Sequence, residues 1–225
     1  MKIVQCWDDG VVDDARLCEM LRQMRCKATF NIALGLHHQT RRLDDWRYKN
    51  VKEVRFLSLG ELRTVYNGFT IANHTLTHPM ATETSLEDWR HDVVEGRKRL
   101  QDFFSQEIRG FAYPYGKYDK KSADAVRDAG HLYARTVGGP HVGRRVNDLM
   151  ELHPDCNFES PAFWDLYENA KGSGAPFFYF FGHSYQFTSE DEWKSFEMKL
   201  ERINNDPAVE WADLPEVMTA VSSEI

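Results

Sequence analysis

Short apolar runs take turns with stretches whose apolar residues recur at helical spacing, and that alternation leaves few folds open to the chain. Residues 3–7 (IVQCW), 27–34 (KATFNIAL), 69–73 (FTIAN), 108–113 (IRGFAY), 131–137 (HLYARTV), 177–181 (FFYFF) and 208–214 (AVEWADL) read as seven strands. Between them the 3.6-residue period takes over. Leu17, Met20, Leu21 and Met24 share one face of 13–24, and Leu86, Trp89, Val93, Leu100 and Phe103 stripe 85–104, where Ser85 is the N-cap. Ser58 with Glu61, and Ser189 with Glu192, are capping boxes opening helices at 58–68 and 189–203. Gly68 and Gly130 close the helices that precede them, and 160–172 reads as a further helix. Strands separated by helices make βαβ units and a parallel sheet, and seven of them suit a barrel better than an open sheet. Two stretches stay irregular. Residues 36–56, rich in Arg, Asp and His, read as a long surface loop or insertion of the kind that often carries function, and 138–176 is looser around its one helix.

A length of 225 residues with 42% hydrophobic residues supplies the core of one domain, assigned to 1–225. The formal net charge of −7 argues against a polyanionic partner such as nucleic acid. The longest dense apolar run, residues 175–182, is too short to span a membrane. Cys6, Cys18, Cys26 and Cys156 form no C-x-x-C pair, and MKIVQ leaves no room for a signal peptide; both point to a reduced, cytoplasmic protein.

In parallel β/α folds chemistry gathers just past the C-terminal strand ends. Three polar clusters fall there: Asp8-Asp9-Gly10 after the first strand, His74 and His78 in NHTLTHP after the third, and His183 in GHS after the sixth. An i, i+4 histidine pair can face one ion from a helical turn, although Pro79 makes a tight loop an equal alternative. In a chain with nine histidines the spacing alone is a weak signal. A carboxylate from another strand end completes a two-histidine, one-carboxylate set that leaves coordination positions open for catalysis. Adjacent aspartates then divide the labour, one on the metal and one free as a general base toward water bound there. The structural alternative for Asp8-Asp9 is a helix N-cap, a task that Asp13 or Asp14 can also perform.

These stretches together resemble the polysaccharide deacetylase family, the NodB-homology carbohydrate esterases of carbohydrate esterase family 4. CWDDG (6–10) is similar to the family's T-F-D-D-G, HTLTH (74–78) to H-[ST]-x-x-H, FAYPYG (111–116) to its P-Y-G motif, FFGHS (180–184) to its L-x-H strand end, and KATFNIALG (27–35) to A-T-F-F-x-x-G. The likeness runs over roughly residues 3–212. It implies a distorted (β/α)7 barrel, NodB-like and related to the TIM barrel, with Asp8 as catalytic base and Asp9, His74 and His78 as metal ligands. It also implies His183 as the acid that protonates the leaving amine, and the N–H of Tyr115, after Pro114, as an oxyanion donor. The ion is a divalent one, zinc ahead of cobalt, nickel or manganese.

Two departures accompany the likeness. The family arginine that orients the catalytic aspartate lies two residues before the P-Y-G proline, where this chain has Ala112. Arg109 is out of register, so Arg135 on the next strand is expected to supply the charge, against the alternative that it pairs with another acid at the rim. The family's aspartate-tryptophan motif after strand five is replaced by RTVGGPH, which leaves Asp155, Glu159 and Asp213 as candidate partners for His183. His153 is read as surface rather than pocket. Of Trp46, Tyr113, Tyr115, Trp164 and Tyr185, Tyr115 and Tyr185 are the favoured sugar-contacting aromatics. The expected activity is removal of an N-acetyl group from an amino sugar or oligosaccharide, most simply a soluble one. The alternatives are a deformylase or amidase acting on a small non-sugar amide, or a catalytically silent glycan-binding barrel. The sequence sets no oligomeric state.

Overall fold

In the computed structural model, which describes residues 1–138, 146 and 148–222, the alternation becomes β1 (Lys2–Asp8), α1 (Asp14–Gln23), β2 (Thr29–Ile32), β3 (Arg42–Tyr48), β4 (Lys52–Phe56), α2 (Leu59–Val65), β5 (Thr70–Asn73), α3 (Leu86–Phe104), β6 (Gly110–Ala112), α4 (Lys120–Asp128), β7 (Tyr133–Arg135), β8 (Cys156–Asn157), α5 (Phe163–Gly172), β9 (Phe177–Gly182), α6 (Glu190–Asn204), β10 (Glu210–Trp211) and α7 (Leu214–Ser222). A parallel sheet runs in the order β7-β6-β5-β2-β1-β9-β8. β1 pairs with β9 along Lys2–Trp7; on its other side β10 takes Lys2 and Ile3, and β2 takes Cys6 to Asp8. The sheet curls until its ends meet. Thr136 N–H donates to Leu152 O and Leu152 N–H to Ala134 O, both at 2.9 Å, so the segment leading into β8 also touches β7. This is the distorted (β/α)7 barrel, with one change of membership. The seventh strand of the path is the short β8 inside the looser stretch, whereas 208–214 contributes only two paired residues as β10. Residues 139–145 of that looser stretch lie outside the described residues.

The two-residue period of each strand sorts the core. Ile3, Trp7, Phe30, Phe178 and Phe180 face the helices and join one large cluster. Val4, Cys6, Tyr133 and Tyr179 point inward and form another. Trp7 packs against Phe158 and Phe196, with ring centroids at 5.1 and 5.3 Å, which anchors the end of β1 just before the two aspartates. Both capping boxes and the Ser85 cap form as read, Ser85 accepting from the Asp88 N–H. Asp13 stands at the N-cap of α1 but makes no side-chain cap bond; it pairs with Lys52 at 2.8 Å instead.

Residues 36–56 are not a structureless loop. They hold an antiparallel hairpin, β3–β4, closed by a two-residue turn in which Lys49 and Asn50 both have positive φ (49° and 60°) and Val51 N–H donates to Tyr48 O at 3.0 Å. The hairpin docks on the chain that follows β1, through Val12 N–H to Arg55 O (2.8 Å) and Leu57 N–H to Gly10 O (3.0 Å).

Candidate active site

Strand alternation decides what meets at the barrel mouth. Asp8 continues the inward face of Val4 and Cys6, Arg135 continues that of Tyr133, and Asn31 follows Thr29, so the three side chains converge inside. Asp8 is 2% exposed. Its Oδ1 accepts from Asn31 Nδ2 at 2.6 Å and its Oδ2 from Arg135 Nη2. Burial alone would raise the Asp8 carboxyl. Arg135 first, then His74, His183 and Asn31, outweigh that and hold it well below the ordinary carboxylate range. Arg135 therefore stands with Asp8, as expected from the missing arginine at Ala112, and not with another rim acid.

Asp9 turns away from Asp8 because the chain bends sharply after β1, with φ of 80° at Asp9 and 75° at Gly10. Its Oδ1 lies 3.6 Å from His74 Nε2 and 3.5 Å from His78 Nε2, and the two Nε2 atoms are 3.2 Å apart. Of the two geometries open to HTLTH, the structure has the tight loop. Thr75 and His78 have φ of 66° and 62°, and His78 N–H donates to Thr75 Oγ1 at 2.9 Å. Asp92 of α3 clamps the loop from below, accepting from the N–H groups of Leu76 and Thr77, both at 2.8 Å. Helix and loop pack so closely that a Cβ at Gly96 would meet the Thr75 backbone at 2.7 Å.

His74 is buried, and His74 Nδ1–H donates to Ala112 O at 2.7 Å, leaving the Nε2 lone pair aimed at Asp9 and His78. Burial foremost, and the neighbouring His78, push His74 down to about 4, so it stays a neutral ligand through the physiological range. Two imidazole nitrogens and a carboxylate oxygen, all within 4.8 Å of one another, form a donor set that fits a divalent cation and leaves positions open.

His183 follows β9. Its Nε2 lies 3.5 Å from Asp8 Oδ2 and 3.8 Å from Asp9 Oδ2. Its partner is none of the three acids read from the sequence. Gln186 Oε1 accepts from both the backbone N–H of His183 (2.8 Å) and Nδ1 (3.2 Å). Glu159 stands one link behind, accepting from Gln186 Nε2, while Asn157 Nδ2 donates to Gln186 Oε1 at 3.2 Å. Asp155 accepts from Tyr179 N–H, and Asp213 pairs with Lys27 at 3.0 Å. Sequence reading also missed Asn31 and Gln186. The signals were there: one amide inside the apolar run ATFNIAL, and another three residues after the motif histidine.

Pro114 opens a short 3-10 turn, and Tyr115 within it has φ of 57°. Gly116 N–H donates to Tyr113 O, so the Tyr115 N–H precedes the first bond of the turn. The Tyr115 ring leans edge-on over His78, centroids 4.8 Å apart. A cavity of about 490 Å³ opens over these groups. Trp46, Tyr113, Tyr115 and Tyr185 line it; Trp164 instead packs against Tyr167 and Arg202. His153 is half-buried and bonded to Thr136, away from the lining.

Known proteins share both sequence and architecture with this chain. The family model for polysaccharide deacetylases matches residues 1–134. A chitooligosaccharide deacetylase from Azorhizobium caulinodans is 22% identical over 116 residues, 44% of this chain and 55% of that protein, so the match spans about half the curated relative's length. Among solved structures, the Xyl-CE4 domain of a multidomain xylanase from the hindgut metagenome of Trinervitermes trinervoides superposes with a TM-score of 0.64 at 14% identity, covering 98% of this chain and 91% of that one. A CE4 family pseudoenzyme from Bacillus anthracis gives a TM-score of 0.59 at 13% identity, over 96% of this chain and 65% of that one. A Streptococcus pyogenes deacetylase in complex with acetate gives 0.53 at 19%, over 66% and 61%.

Proposed function

Because the chain belongs to the polysaccharide deacetylase family, we propose that it is a metal-dependent hydrolase that removes the N-acetyl group of an amino sugar or oligosaccharide. One observation carries the reading: the donors of Asp9, His74 and His78 converge beside an ionised Asp8, with His183 Nε2 3.5 Å from that carboxylate.

A divalent ion held by Asp9, His74 and His78, zinc ahead of cobalt, nickel or manganese, supplies Lewis acidity to water and to the acyl carbonyl when bound. Asp8, oriented by Asn31 and Arg135, takes the proton of the attacking water. The Tyr115 N–H donates to the oxygen on which charge develops. His183 keeps its Nδ1–H on Gln186 and delivers the Nε2 proton to the departing nitrogen, so the C–N bond breaks to an amine and an acetate. The altered third and fourth motifs give the small-amide alternative its weight, and Arg135 beside Asp8 answers only the first of them. All five chemistry-bearing side chains are retained, which a silent barrel would not need. A cytoplasmic setting belongs to the same proposal, supported by four unpaired cysteines.

The test is acetate release from a panel of N-acetylated sugars, scored beside formate and ammonia from small amides, with metal content measured on the same sample. Asp8→Asn is expected to abolish turnover and keep the metal, and His74→Ala or His78→Ala to lose the metal. Formate or ammonia without acetate would shift the reading to the amidase class.

A further inference from the structure

The guanidinium of Arg135 has more to satisfy than Asp8 alone provides. Arg135 is 2% exposed, and its Nε–H meets no hydrogen-bond acceptor among the described residues. An idle donor on a buried cation is costly unless another group offers it negative potential. That group is an aromatic ring. Arg135 Cζ stands over Phe181, 4.9 Å from the ring centroid.

Strand register brings the two together. Phe181 pairs with Cys6 of β1, so it shares the inward face of Cys6 and packs against the same inner cluster. Arg135 comes from β7, which meets the segment leading into β8 where the ends of the sheet close. Its side chain crosses the barrel interior to reach Asp8 on β1, and Phe181 is the surface it crosses. The face of a benzene ring carries negative potential, which attracts a cation more strongly away from water. An aliphatic side chain would fill the same space without that attraction. Arg135 and His183 line the cavity and Phe181 does not, so the ring acts on the chemistry only through a neighbour. Its ring stands 6.4 Å from that of His183, which makes His183 the competing neighbour.

We propose that Phe181 is a positioning residue, whose ring face holds the Arg135 guanidinium where Nη2 meets Asp8. This rests on the reading of Asp8 as the base and deepens it. An arginine carried on β7 reaches the base across an aromatic support from β9.

Fluorination tests the contact, because it weakens the negative potential of the ring and leaves its shape nearly unchanged. Phe181 is replaced by 4-fluoro-, 3,5-difluoro- and 3,4,5-trifluorophenylalanine in the full chain and in Arg135→Met, at matched metal content. Denaturant midpoints and kcat for acetate release are read on each. In the full chain kcat is expected to fall stepwise, by about fivefold from Phe to the trifluoro ring, with KM unchanged. The midpoint should fall with it relative to the same series in Arg135→Met, where fluorination reports hydrophobicity alone. A kcat or midpoint that ignores fluorine count, or a series that runs the same way in Arg135→Met, overturns the proposal; the second result would place the effect on His183. No acetate from any chain, the unsubstituted one included, removes the deacetylase reading instead, and the difference in midpoints between the two backgrounds then decides the contact by itself.

Discussion

Asp8 and Arg135 are two charges taken almost wholly out of water, and each is tolerable only because the other is present. Removing one partner of such a pair typically costs about 3–5 kcal/mol, because the survivor stays buried and uncompensated. Arg135→Met should therefore lower both stability and kcat, the latter by well over tenfold, with metal content unchanged. Adding Asp8→Asn to Arg135→Met should return part of the lost stability, since no lone charge then remains, while turnover stays absent. Denaturant melts of the two single variants and the double variant check this; additive losses would mean the pair is not coupled. Gln186 acts on the other side of the site. Gln186→Met deletes the acceptor for both His183 N–H groups, and kcat should fall by about tenfold at constant metal content as the imidazole loses its fixed plane. Unchanged kcat would remove Gln186 from the site. The sequence pointed to Arg135 because a charge was missing at Ala112. Gln186, three residues after His183, was the weaker signal, because a neutral amide replaced an expected carboxylate and it is the 3-10 turn at Ser184–Gln186 that folds it back onto the ring.

At the scale of elements, α1 is tied to the site by a buried acid that the chemistry does not use. Asp14 is fully buried at the first position of α1; its Oδ1 accepts from Ser184 Oγ and its Oδ2 from Tyr66 OH, both at 2.5 Å, so one side chain joins α1 to α2 and to the residue after His183. Burial lifts Asp14 from the ordinary 3.8 to about 7. The folded state thus binds this proton more tightly than the unfolded chain does. Its contribution to stability is full below about pH 4 and is lost as pH rises toward 7. Asp14→Asn cannot ionise, so its stability relative to the parent should rise between pH 5 and pH 8, by on the order of 3 kcal/mol. Urea melts at the two pH values give the difference directly; a pH-independent offset would show that Asp14 is not the titrating group. The helices were legible element by element, since caps and apolar stripes are local. The β3–β4 hairpin was not. Its faces carry Arg, Asp and Glu rather than an apolar alternation, and its turn is Lys49-Asn50 instead of a glycine-containing pair.

For the whole molecule, counting strands gave the barrel, but not which segment completes it. β8 has only two paired residues, and it earns its place through long-range bonds to β9 and, via Leu152, to β7. No local period announces such a strand, whereas Trp211 and its neighbours looked like one and pair only at the foot of β1. The same long-range logic governs the metal site. Asp9 follows β1 while His74 and His78 follow β5, and β2 lies between those strands, so an ion held by the three would tie together parts of the barrel rim that no sheet hydrogen bond joins directly. Without a cation the two Nε2 atoms, 3.2 Å apart, must share a proton or oppose their lone pairs. Metal binding should therefore raise global stability as well as support turnover. At a free-metal level of about 100 times Kd the linkage term is about 2.7 kcal/mol. For a chain of this size that corresponds to roughly 5–10 °C in Tm. Calorimetric scans with and without a chelator should show that shift in the parent chain and lose it in His78→Ala, whose Tm should be insensitive to chelation. A chelator-dependent shift that persists in His78→Ala would put the ion elsewhere in the barrel.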